Sequence, residues 1–260
     1  MSTQQGRAPG APSSLEYGTK LVAPRKGGWT FVLHPEAAEG GGSFRRAATG
    51  GGLGPAVEPG DSQADAARRA RGKVRRYCAA NRLNRLGTLT YAGAGCHDPA
   101  RVRDDLGAFF RRLRGCVGDP FPYLWVPEWH KQGHGLHAHF AVGRWIAQGE
   151  IRRAWGRGFV HIKLLGDLPV GSGTLGEARL AARYLSKYVA KDLGGDHPAG
   201  LHRYEVAQGF QPRRIMLDGP TADEVVGWAA SYMGAAPERV WLSHQAKDWA
   251  GPPAVWASWT

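Results

Sequence analysis

Cys78, Cys96 and Cys116 are the only cysteines in 260 residues. Their odd number and the absence of a Cys-x-x-Cys pair argue against a disulfide framework and against a zinc ribbon. There is no apolar run long enough to span a membrane, and the opening "MSTQQGRAPGAPSS" is polar and Gly/Pro-containing, unlike a secretory signal. No membrane partner is therefore expected, and the cytoplasm is the expected compartment. A Walker A loop and internal repeats are missing too. "GSGTLG", Gly171 to Gly176, matches the letters of a dinucleotide-binding loop. That site needs a strand directly before the glycines and a strand-ending acid roughly 20 residues on. Here Pro169 intervenes and Asp192 falls at a helix end, so the stretch is read as a loop.

Acidic residues are scarce. Asp and Glu number 22 against 34 Lys and Arg, a formal charge of +12. Such a balance points to a polyanionic partner, and nucleic acid is the usual one.

What is present divides the chain into four stretches. Residues 1–18 read as disordered. Residues 19–60 read as an N-terminal hairpin, turning at Gly27-Gly28, followed by a Gly-rich linker over 38–60. Residues 61–195 form the expected core with a preceding basic helix, and 196–260 an extension packed on it. The basic helix, from Asp61 to about Arg85, carries Arg68, Arg69, Arg75 and Arg76, a cluster that is either a solvated face or a phosphate-contacting one. After Leu86 the pattern alternates. "LGTLTYAG" is a strand, "PARVRDDLGAFFRRLRGCVG" a helix, and "PYLWVPEWH" and "LHAHFAVGRW" are strands joined by "KQGHG". "IAQGEIRRAWGRG" is a helix, "FVHIKLL" a strand, and "LGEARLAARYLSKYVAKDLGG" a helix ending at Gly194 and Gly195. A tight hairpin plus interspersed helices predicts an α+β fold, with helices on one face of a mainly antiparallel sheet.

Two clusters carry chemistry. His137 and His139 are two apart on a strand and so share a face, and Glu128 sits on the other strand of the same hairpin. Two imidazoles and a carboxylate can hold one divalent cation from one side, leaving positions open for water and substrate. His130 lies on the same strand face as Glu128 and could replace or augment it. On the last helix, Tyr184, Lys187, Tyr188 and Lys191 fall within roughly 100° of one another, so two phenols and two ammonium groups share a face. That arrangement fits either an amphipathic core edge with snorkelling lysines or a pair of nucleophiles beside cations. Thr88 and Thr90 are read as supports of the central strand.

Three stretches in this order resemble the signatures of HUH endonucleases of the rolling-circle replication initiator (Rep) type. "LGTLTYAG" is similar to the threonine-rich strand motif, "LHAHF" to the two-histidine motif, and "RYLSKYVAKD" to the tyrosine motif. The resemblance spans roughly residues 86–192. It implies an antiparallel sheet of about five strands with flanking helices. It also implies a site-specific DNA nickase and strand transferase that starts rolling-circle replication of a plasmid or phage. In that chemistry a tyrosine attacks a DNA phosphate and keeps the 5′ phosphate, leaving a free 3′ hydroxyl. Tyr188 is the implied nucleophile with Tyr184 as its partner, and Lys187 and Lys191 are positioning groups. Glu128, His137 and His139 would hold Mg²⁺ or Mn²⁺. The implied partners are single-stranded and origin DNA, and unwinding would need a host helicase. Transposases and integrated-element recombinases share this chemistry, and a DNA-binding module with a dead site is a further alternative. Ala138, between the histidines, is smaller than the motif's usual hydrophobic residue.

Overall fold

The computed structural model describes residues 27–46, 63–163, 173–191, 200–247, 249 and 251–260. Residues 1–18, the linker beyond 46, Asp192, Gly194 and Gly195 lie outside them, as does the side chain of Lys191.

The chemistry-bearing sheet is built from β3 (Arg85–Tyr91), β4 (Tyr123–Trp129), β5 (Leu136–Val142), β6 (Gly158–Lys163) and the short β7 (Glu205–Val206). Its order is β6-β3-β5-β4-β7, and every pairing is antiparallel. The fold is thus α+β, as expected. Its helices, however, lie on both faces rather than one. α2 (Pro99–Val117) and α3 (Gln148–Trp155) cover one side, joining Leu89, Trp125, Phe140 and Val160 in a core with Leu106, Phe109 and Trp155. α1 (Gln63–Ala80) and α4 (Gly173–Lys191) cover the other, where Leu86, Leu124, Val126 and Ala141 meet Val74, Cys78, Ala181 and Leu185. The cause is in the strands: Leu124, Trp125 and Val126 are consecutive and all buried, so both alternations are apolar and each needs a cover.

Local signals set the helix ends. Asp98 accepts a hydrogen bond from the Ala100 amide and Pro99 opens α2, while Gly118 closes it at φ 87°. Gly173 to Gly176, expected in a loop, instead form the first turn of α4.

A second five-stranded antiparallel sheet has the order β8-β1-β2-β10-β9. It combines β1 (Gly28–His34) and β2 (Glu39–Arg45) with β8 (Ile215–Gly219), β9 (Arg239–Leu242) and β10 (Ala254–Ser258). α5 (Ala222–Met233) seals one face through Val225 and Ala229 against Phe31, Leu33, Val255 and Ala257. The N-terminal hairpin therefore turns at Pro35–Ala38 rather than at Gly27-Gly28, and Gly40–Gly42, expected in a linker, are strand. Packing explains these glycines. A Cβ on Gly40 would come within 2.3 Å of the Phe31 ring, and one on Gly42 within 2.4 Å of the Thr30 carbonyl oxygen.

α1 and α4 join the two sheets. Arg75 grips buried Glu39 through Nε and Nη2 at 2.8 and 3.0 Å. Arg179 Nη2 donates to the carbonyls of Ala38 and Trp259 at 3.1 and 2.8 Å.

Candidate active site

Strand register brings the hairpin residues together. Glu128 is directly opposite His137, and His139 is opposite both Val126 and Thr88, so Glu128, His137, His139, Thr88 and Thr90 occupy one face. His137 and His139 each place Nε2 2.8 Å from the same Glu128 oxygen, Oε2. The donor atoms of these three residues all lie within 4.8 Å of one another. His139 is buried, and its Nδ1 sits 3.0 Å from Thr88 Oγ1. A histidine fixed at one ring nitrogen presents the other outward, as metal-binding imidazoles do. The donor set fits a divalent cation: one hard carboxylate oxygen between two neutral nitrogens, open on one side.

The open side is a cleft of about 420 Å³ lined by Glu128, Trp129, His130, Lys131, Gln132, His137, His139 and Tyr188. His130 is thus in the cleft wall, its ring 5.5 Å from that of His137, but it is not part of the convergent group.

α4 crosses this face and delivers both tyrosines. Ala181, Ala182 and Leu185 are fully buried beneath it, which brings the helix close to the sheet. The Tyr188 ring stacks on His139 at a centroid distance of 3.8 Å and 17°. Tyr188 donates its hydroxyl hydrogen to the Tyr184 oxygen at 2.6 Å. Burial raises the Tyr188 pKa well above its ordinary 10.0, helped by the Tyr184 hydrogen bond and by the charges of Tyr184 and Glu128. Unaided, this phenol stays protonated. A cation bound at Glu128 would oppose that last contribution.

Lys187 is exposed on α4. The ammonium nearest the phenols in the described residues belongs to Lys163, whose Nζ lies 4.6 Å from the Tyr184 ring centroid. No motif in the sequence singles it out. Its signal is its phase: Phe159, His161 and Lys163 alternate on β6 on the same face as the histidines. Thr88, read as a strand support, also contacts the site directly.

The arginines of α1 are not gathered at this site. Arg68 and Arg69 are exposed. Arg75 and Arg76 turn toward the second sheet, where Arg76 comes within 3.9 Å of Glu39.

Fold and site together define an α+β protein with a candidate metal-and-tyrosine centre on one face of an antiparallel sheet. Residues 84–193 match the family model of the replication-associated protein ORF2, which supports a place among replication-initiator families. The match covers a little under half of the chain and runs from the start of β3 through α4, the stretch that holds every residue of the centre. No curated protein and no solved structure matches the chain. Among the described residues, no helix is long and apolar enough to cross a membrane.

Proposed function

We propose that the protein is an HUH-type DNA endonuclease and strand transferase that initiates rolling-circle replication through a 5′-phosphotyrosine intermediate. The observation that carries this reading is the stacking of Tyr188 on His139, with Tyr184 one hydrogen bond further on. A structural tyrosine pair has no need of a carboxylate–imidazole cluster beneath it.

Glu128, His137 and His139 would hold Mg²⁺ or Mn²⁺, whose chemistry is to polarise the non-bridging oxygens of the scissile phosphate. The rest falls to the chain. The Tyr188 oxygen forms a bond to phosphorus as the bond to the 3′ oxygen breaks, and that oxygen leaves as a hydroxyl. Tyr184, accepting the Tyr188 hydrogen bond, orients the phenol and is placed to take a second strand in a later transfer. Thr88 fixes the His139 ring. Lys163 and Lys187, with Lys191, supply positive charge for the phosphate. Origin DNA is the proposed substrate, and a host helicase the proposed source of unwinding.

The test uses single-stranded oligonucleotides tiling the DNA around the gene, with Mn²⁺, and a denaturing gel for the protein–DNA adduct. Tyr184→Phe and Tyr188→Phe are each expected to retain some adduct, and the double variant none. Loss on Tyr188→Phe alone would mark a single nucleophile. Full adduct from the double variant would overturn the reading.

A further inference from the structure

A second cleft, of about 770 Å³, shares no lining residue with the first. It runs between α1 and the face of the second sheet that α5 leaves uncovered. Lys73 and Arg76 come from α1, His34 from β1, Arg214 from the segment before β8, and Tyr204 and Trp256 contribute partly exposed rings. Three fixed cations thus line a space with one carboxylate, Glu39, which Arg75 already engages. Burial depresses the pKa of Arg76, and burial and then Arg76 depress that of His34, as expected of charge confined in a cleft. At the wall, the buried Trp256 Nε1–H donates to nothing among the described residues.

The floor contains a glycine that local packing does not demand. Gly40 and Gly42 must lack side chains because of Phe31 and Thr30, but a Cβ on Gly41 would sit 3.5 Å from its nearest neighbour, at ordinary van der Waals distance. Gly41 is directly opposite Trp256, and any longer side chain there would fill the cleft beside the indole. The bare backbone keeps that space open.

We propose that this cleft is a second nucleic-acid site, holding an unpaired run of single-stranded DNA. Lys73, Arg76 and Arg214 take its phosphates, and Tyr204 and Trp256 take its bases. Cations tracking a backbone beside aromatic faces are how unpaired strands are bound without sequence readout. The volume lies within the roughly 300–1,000 Å³ of small-ligand clefts, which suits a short flexible run rather than a double helix. Every residue named lies outside the 84–193 family match, so the flanking segments would be adding a grip of their own. The proposal depends on no step of the nicking chemistry.

The test is equilibrium binding of the full chain to a labelled oligo-thymidine of about 16 nucleotides, the upper end of single-fold site sizes. Binding is read in chelator by fluorescence anisotropy across a salt series. Arg76→Gln with Arg214→Gln should weaken binding about tenfold or more and shallow the log–log salt slope by about 1.4, or about 0.7 for each phosphate no longer neutralised. Gly41→Leu removes no charge and should weaken it about fivefold, one base stack's worth, while Gly41→Ala binds as the parent does. Arg214 is exposed, so Arg214→Gln alone keeps the test alive if Gly41→Leu does not fold. Parent-like affinity and slope in the charge variants would overturn the proposal. So would preference for a duplex of equal length, or competition by inorganic phosphate alone at comparable concentration. Repeating the measurement on the Tyr184→Phe/Tyr188→Phe chain separates the two readings, because binding there is independent of whether adduct ever forms.

Discussion

Thr88 shows how a small side chain can control a site it does not occupy. Its hydroxyl meets His139 Nδ1 at 3.0 Å, and His139 in turn lies beneath Tyr188. In the proposed centre, removing that hydroxyl frees the imidazole to rotate, and outer partners of metal-binding histidines are typically worth about 10–100-fold in affinity. Thr88→Val, close in shape but without the oxygen, should weaken Mn²⁺ binding about tenfold by titration followed with electron paramagnetic resonance, and Thr88→Ser should restore it. An unchanged titration in Thr88→Val would reduce the pairing to strand packing. The role was hidden in the sequence because it depends on register between strands: Thr88 and His139 are 51 residues apart. The convergence of Glu128 with His137 was legible, since the short turn at "KQGHG" sets which residues face each other.

At the level of elements, each strand and helix from α1 through α4 could be read from its own periodicity and caps, because those signals are local. The Gly40–Gly42 strand could not. A glycine run looks like a linker until the partner is known, and the partner here is Phe31 across the hairpin. Placing helices on both faces likewise required knowing that consecutive apolar residues in β4 face different covers. The arginines of α1 are another such case. Composition marked Arg75 and Arg76 alike as phosphate contacts, yet Arg75 is bound bidentately to a carboxylate that is 3% exposed. Removing it strands that charge, with only Arg76 at 3.9 Å to compensate. Arg75→Met is therefore expected to destabilise the fold by about 3 kcal/mol, read as a lower urea midpoint with an unchanged slope. A loss below about 1 kcal/mol, typical of surface pairs, would mean Glu39 is not held this way.

Across the whole molecule, buried ionisable groups set an alkaline limit. Burial pushes the Cys78 thiol up from 9.0 to about 12, and burial chiefly also raises Tyr77 and Tyr91 well above 10.0. An acid whose folded pKa is raised favours the fold below its unfolded value, and that contribution drains away as pH climbs toward the folded one. Thermal unfolding midpoints should thus hold up to about pH 9 and fall between pH 9 and 12, more steeply once the tyrosines join above 10. Cys78→Ala should delay the onset of that fall to about pH 10. Midpoints that stay level through the interval would show that these groups reach solvent in the folded state.

β2 pairs with β10, its neighbour in space but near the far end of the chain in sequence. On the ribosome, the first hairpin emerges long before the strands and helix that cover it. The elements of the catalytic sheet up to β6 and α4 are made in between. Throughout that interval Phe31 and Leu33 have no α5 to pack on and β2 has an open edge, the kind of surface that invites misassembly. Synthesis therefore leaves this molecule most vulnerable at its beginning until almost its last residues are added, and a ribosome stalling anywhere before β10 would release a chain whose first hairpin remains half-paired.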